Sequence, residues 1–266
     1  MIKTPELKNW KYYLSNPDRK PACLVLMLHG CGGNADDILS FASLLQKNTG
    51  NQSFVAVAPD AFLPSVEKAN GYQWFDIENN YAKTLFASPY DRLSENEKKM
   101  FTNMADGEQG IKSASKTLNA FLDFCQKKFD LDDSRTVIFG YSQGAMQALD
   151  MSITRATPVR KVIALSGSLI PPNKEQIKKR IVSRPDILLL HGTKDNVINF
   201  NAARQTESIL KESGFNVRLC AQNGMGHGRG EESAVFWAKA AWHTATPVKQ
   251  QIPAPVNRFF KERTGR

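Results

Sequence analysis

The chain has 266 residues, 41% of them hydrophobic and 23% charged, with a formal charge of +9. That composition suits one soluble domain with a large core; no run approaches the roughly 18 apolar residues of a membrane span, and the start, MIKTPELKNWKYYLSNPDRK, lacks the apolar stretch of a secretory signal, so the cytoplasm is the expected compartment. Cys23, Cys31, Cys125 and Cys220 form no C-x-x-C pair or zinc-type cluster and are expected as free thiols, which excludes a disulfide scaffold and a zinc module.

In chain order, KYYLSN reads as an early antiparallel strand. ACLVLMLHG (22–30) is a continuous apolar run closed by glycine, the signature of a strand buried on both faces of a mostly parallel sheet. HGCGG follows it, and its glycines allow backbone to approach a ligand; the segment fits neither G-x-G-x-x-G nor a P-loop, so a nucleotide site is disfavoured. SFVAVAPD (53–60) is the next buried run. Trp74, in GYQWFDI, is a candidate for an apolar substrate pocket, with core packing an equal alternative.

The stretch 78–105 is long, polar and interrupted by Tyr81, Phe86, Tyr90 and Phe101. It is expected to be a lid-like insertion, with a capping box from Ser94 to Glu97 opening a short helix. Ile111, Ala114, Leu118, Phe121, Leu122, Cys125 and Phe129 recur at helical spacing. Then strands and helices alternate: RTVIFG, QGAMQALDMSI, KVIALSG, DILLLHG, a helix over 202–213, NVRLCAQ and a helix over 231–243. Such alternation predicts an α/β domain over 1–245, with ligands outside the carboxyl ends of the strands.

Beyond it, residues 246–266 hold Pro247, Pro253 and Pro255 and five basic residues against Glu262, a local charge of +4. A basic, extended tail is expected there, and its share of the charge argues against a basic nucleic-acid-binding body.

The chemistry converges on the expected sheet edge. Ser142 lies in GYSQGA between a strand and a helix, the setting in which Gly-x-Ser-x-Gly makes a sharp nucleophile elbow. A serine hydroxyl needs a base. His29 and His191 end strands and His243 lies in a helical stretch, whereas His227, in NGMGHGRG, sits on a loop after the last strand and can reach across the edge. Asp195, in LLLHGTKDNVIN, leaves a buried strand by a short loop and is the acid to orient His227; Asp186 starts that strand at the wrong end, and Asp150 lies within the helix after the elbow. The order Ser142, Asp195, His227 is that of α/β-hydrolases. The backbone N–H groups of Gln143 and Cys31 are the candidate oxyanion donors, and the Cys31 thiol is disfavoured as nucleophile because the serine and its partners account for the chemistry.

LHGCGGNADD, APDA with GYQWFDI, GYSQGAMQALD, LSGSLIPP, LLHGTKDNVIN and GMGHG together resemble the phospholipase/carboxylesterase family of α/β-hydrolases. The resemblance spans about 22–243 and implies an α/β-hydrolase fold, a mostly parallel central sheet with helices on both faces, and hydrolysis of acyl esters or thioesters by Ser142, Asp195 and His227, without cofactor or metal. It departs at Cys31, where leucine is common in the family, and in the length of 78–105 and the tail. HGCGGN is also similar to polyhydroxybutyrate depolymerase-like and feruloyl esterases, and dienelactone hydrolases share the core but carry cysteine at the position of Ser142. The rival from another class is a non-catalytic binding protein on the same fold, its tail engaging anionic partners.

Overall fold

A computed structural model describes residue 7 and residues 9–48, 53–65, 68–76, 86, 88 and 90–228. Its strands are β1 (Trp10–Leu14), β2 (Cys23–Leu28), β3 (Phe54–Pro59), β4 (Leu63–Pro64), β5 (Tyr72–Gln73), β6 (Thr136–Tyr141), β7 (Lys161–Leu165), β8 (Ile187–Gly192) and β9 (Val217–Gln222). Its helices are α1 (Ala35–Leu39), α2 (Ala42–Asn48), α3 (Glu95–Asp106), α4 (Ile111–Phe129), α5 (Gln143–Thr154), α6 (Lys174–Lys178) and α7 (Phe200–Glu212).

Seven strands form one sheet in the order β1-β3-β2-β6-β7-β8-β9. All neighbours are parallel except β1, which runs antiparallel to β3 from Trp10 opposite Pro59 to Leu14 opposite Val55. β4 and β5 form a separate small hairpin. The apolar runs are continuous because the period-two alternation of a strand serves two cores at once. Leu24, Leu26 and Leu28 of β2 join the core that includes α4, α5 and α7, while Cys23, Val25 and Met27 join the opposite one with α1 and α2. Burying each such aliphatic side chain contributes about 1.5–3 kcal/mol, and this fixes the register that brings the strand ends to one edge.

β9 departs from the expected buried run. It is one of the two edge strands of the sheet among the described residues, and Arg218 and Ala221 are exposed. Helix α5, which follows the elbow, is buried from Gln143 to Ile153. It lies between the sheet and α4, so a one-sided apolar stripe is absent from its sequence.

Within 78–105, the capping box is present: Glu97 N–H donates to the Ser94 hydroxyl at 3.3 Å, and Ser94 N–H donates to the Glu97 carboxylate at 2.7 Å. The described aromatics do not form a free flap. Phe86, Tyr90 and Phe101 are buried in the main core, with the Phe86 and Phe101 rings edge to face at 5.5 Å. Residues 77–85, 87 and 89, including Tyr81, lie outside the described residues, as do the expected helix 231–243 with His243 and the tail 246–266.

Candidate active site

Ser142 lies between β6 and α5 with φ 53° and ψ −119°. Positive φ is rare for a side chain with a β-carbon and costs about 1–3 kcal/mol, a strain that persists only where the surroundings hold it. They hold it here from both sides. Ser142 N–H donates to the Leu165 carbonyl at 2.8 Å, and the Ser142 carbonyl accepts from the N–H groups of Ala145 and Met146 at 2.9 and 3.1 Å. Gly144 makes the turn possible by close approach: a β-carbon there would lie 2.2 Å from the Leu28 carbonyl oxygen and 2.5 Å from that of His29. The hydroxyl therefore stands at the carboxyl edge of the central strands, above the N-terminus of α5.

His227 reaches that hydroxyl from the loop after β9. Its Nε2 is 2.9 Å from Ser142 Oγ, and its Nδ1 is 2.8 Å from Asp195 Oδ2. The loop is moored to the turn that carries Asp195, because Lys194 N–H donates to the Met225 carbonyl at 2.8 Å and Gly224 N–H to the Thr193 hydroxyl at 2.9 Å. Tyr141 adds a tie that the sequence did not reveal. Its hydroxyl donates to the His227 carbonyl at 3.1 Å, and the two rings lie 5.5 Å apart.

Asp195 is buried after β8 and accepts on both oxygens. Oδ1 receives the N–H groups of Val197 and Ile198 at 2.9 and 2.8 Å. Oδ2 faces His227 and, at 3.2 Å, Nε2 of the buried His191. Burial by itself pushes this carboxyl up, but hydrogen bonds from His191, His227 and the Val197 backbone outweigh it and hold the group well below the usual carboxylate range. Because the carboxylate faces Nδ1 of His227, that nitrogen carries the proton and Nε2 presents its lone pair to Ser142.

Two further predicted positions are Gln143, directly after the serine, and Cys31, on the loop after β2. Gln143 is the first residue of α5, and its N–H has no acceptor among the described residues, as expected in the first turn of a helix. Cys31 lies three residues past β2, its thiol 3.6 Å from Gln73 Oε1. Gly30, just before it, is so close that an added β-carbon would sit 3.2 Å from Ser142 Cβ.

Of the two expectations for Trp74, the structure carries core packing. It is 1% exposed, its indole N–H donates to the His29 carbonyl at 2.7 Å and its ring lies 4.9 Å from that of His29. The indole is therefore a buried brace behind the site and presents no face to substrate. The Gln143 side chain grips the same segment, accepting from Trp74 N–H and donating to the Phe75 carbonyl, each at 2.8 Å. No sequence motif signals this clasp, since its partners are almost 70 residues apart.

Among the described residues no helix is long and apolar enough to cross a membrane, and no group of three or more His, Cys, Asp or Glu is gathered to hold a metal ion. A cavity of about 480 Å³ lies at the opposite, amino-terminal edge of the sheet, around Arg155. Its polar walls bond to one another: the Arg155 guanidinium contacts Asp133, Asn119, Asp123 and Gln126 at 2.5–3.2 Å.

A family model described as phospholipase/carboxylesterase matches residues 96–239. Acyl-protein thioesterase 1 of Candida albicans is 28% identical over 219 residues, 78% of this chain and 86% of that protein. Its namesake in Neurospora crassa is 34% identical over 115 residues, a match spanning 40% of this chain and 46% of that protein. Among solved structures, that of esterase PE8 superimposes with a TM-score of 0.68 at 25% identity, covering 83% of this chain and 93% of that one.

Proposed function

The chain belongs to the phospholipase/carboxylesterase family and is an enzyme of the esterase type, and on that premise we propose that Ser142, His227 and Asp195 cleave acyl esters or thioesters through an acyl-enzyme. The observation that carries the reading is the unbroken line from Ser142 Oγ to His227 Nε2 at 2.9 Å and from His227 Nδ1 to Asp195 Oδ2 at 2.8 Å, beginning at a strained serine. Ser142 Oγ attacks the acyl carbon as its proton passes to Nε2, and Asp195 stabilises the resulting imidazolium. The negative charge that develops on the acyl oxygen is met by the N–H groups of Gln143 and Cys31, each such donor contributing about 10²–10³-fold in kcat. His227 then protonates the departing alkoxide or thiolate. In the second half a water gives its proton to Nε2, its oxygen bonds to the acyl carbon, and the Ser142 oxygen leaves with the proton returned to it.

The substrate class follows from relatives named thioesterase and esterase, and the four free cysteines support a reducing compartment such as the cytoplasm. A fluorophosphonate probe tests the reading against the binding-protein alternative, because only an activated serine is labelled. The wild-type chain should be labelled at one site and should hydrolyse short acyl esters. Ser142→Ala should abolish labelling and lower kcat by about 10⁶-fold. An unlabelled wild type, or a Ser142→Ala variant that still turns over, removes the assignment.

A further inference from the structure

We propose that His29 is a positioning residue: its imidazole holds the Gly30–Cys31 peptide so that the Cys31 N–H faces the reacting centre beside Ser142. The inference rests on the hydrolase reading above and assigns a task to a histidine that the proton transfers leave unused. His29 is fully buried at the end of β2. Its tautomer follows from its neighbours. Ala61 N–H lies 3.1 Å from Nε2, and an amide N–H can only donate, so Nε2 carries the lone pair and the proton of the neutral ring is on Nδ1. Nδ1 is 2.8 Å from the Gly30 carbonyl oxygen and donates to it.

The same oxygen accepts the Gly33 N–H at 3.0 Å. Two donors, one from a buried ring and one from the backbone, thus grip the carbonyl of the peptide whose nitrogen belongs to Cys31. In a trans peptide the C=O and N–H vectors are opposed and share one plane. Holding the carbonyl toward the His29 ring and Gly33 turns the Cys31 N–H away from both, in a loop whose Gly30 comes so near the elbow that a β-carbon there would lie 3.2 Å from Ser142 Cβ. Rotation of this peptide would aim a carbonyl at the developing oxyanion, and the preceding glycine offers no β-carbon to resist it. His29 supplies that resistance.

The arrangement also ties the two donors to each other. Trp74 lies tilted against the His29 ring and donates its indole N–H to the His29 carbonyl, while the Trp74 backbone N–H is held by the Gln143 side chain. A continuous path of hydrogen bonds and covalent bonds therefore runs from the Cys31 peptide through His29 and Trp74 to Gln143. Both proposed donors are set by one buried frame, which is how a transition-state charge is met without reorganisation.

The test compares two substitutions of similar shape. His29→Leu removes the donor to Gly30, whereas His29→Asn puts an amide N–H near the place of Nδ1; both remove the acceptor used by Ala61. His29→Leu should lower kcat by about 10²-fold with KM little changed, as loss of an aligned oxyanion donor does. His29→Asn should recover roughly ten-fold of that loss at equal thermal stability. Equal kcat in the two folded variants, or a His29→Leu kcat close to wild type, overturns the inference. Nitrogen-15 NMR of the wild-type imidazole decides the matter independently of whether the variants fold: Nδ1–H with a bare Nε2 is required, and an Nε2–H tautomer overturns it. Ser142→Ala assayed alongside separates the two readings. If it still turns over, the hydrolase assignment itself falls, whereas its inactivity beside an unimpaired His29→Leu variant removes only the role of His29.

Discussion

Replacing Asp195 by asparagine tests whether the site depends on a tautomer or merely on a filled volume. The carboxylate receives four donors and faces no acceptor: the N–H groups of Val197 and Ile198 on Oδ1, and the rings of His227 and His191 on Oδ2. A carboxamide has one oxygen for these four. With that oxygen toward the histidines, its NH₂ group confronts two buried backbone donors, which costs about 1–3 kcal/mol for each left unsatisfied. With the oxygen toward Val197 and Ile198, the fold is kept and NH₂ faces Nδ1 of His227. The second arrangement is cheaper, because His191 retains the Ile198 carbonyl at 2.7 Å. His227 must then carry its proton on Nε2, against Ser142, where it cannot act as base. Steady-state kinetics should show kcat lower by about 10⁴-fold, less than for Ser142→Ala, with the variant folded. The same substitution changes acid stability in a definite direction. The native carboxyl is held below its unfolded value of about 3.9, so its stabilising contribution is present above that pH and fades as pH falls below it. The difference in Tm between wild type and Asp195→Asn should therefore shrink between neutral pH and about pH 3. A folded variant with kcat within roughly ten-fold of wild type refutes the tautomer argument.

Two further substitutions separate the elbow from the scaffold. Gly144→Ala would set a β-carbon 2.2 Å from the Leu28 carbonyl oxygen, backbone of a central strand that cannot yield, so α5 must move; calorimetry should show a loss of about 1–3 kcal/mol, and kcat should fall further than stability accounts for. Arg155→Met withdraws the guanidinium that joins α4, α5 and the turn before β6, leaving the Asp133 carboxylate without its ion pair. A loss of about 3 kcal/mol, roughly 6–12 °C in Tm, is expected, with kcat unchanged at 25 °C because Arg155 lies at the edge of the sheet away from Ser142.

The central strands were legible because parallel strands covered on both faces need apolar residues at every position. That condition fails for β9, whose period is broken by Arg218 and Ala221. Helix α1 has five residues and is capped by Asn34, too short for a helical period to show, and β4 and β5 contribute two residues each. Ser142, Asp195 and His227 could be singled out because each follows a strand at one edge, which limits their partners. Trp74 stayed open between pocket and core for a different reason. An aromatic beside a site has the same sequence whether it faces a cavity or donates its indole N–H backwards, and the carbonyl it meets belongs to a residue 45 positions away.

The same limit explains the histidines. LHGC and LHGT look alike, each a histidine after an apolar strand and before a glycine, and neither resembles the loop setting of His227. In the fold both are buried, and each spends a ring nitrogen on backbone within the loop that it introduces: His29 Nδ1 on the Gly30 carbonyl, His191 Nε2 on the Ile198 carbonyl. A neutral imidazole suits this position because it offers one donor and one acceptor on a flat, largely apolar ring, and so can satisfy backbone in a core where a charged group would need a counter-ion. The loop after His29 carries the Cys31 N–H, and the loop after His191 carries Asp195. The two strand-end histidines thus hold the backbone of the loops that carry these groups, whereas His227 lies on the loop after β9, where its ring meets the serine.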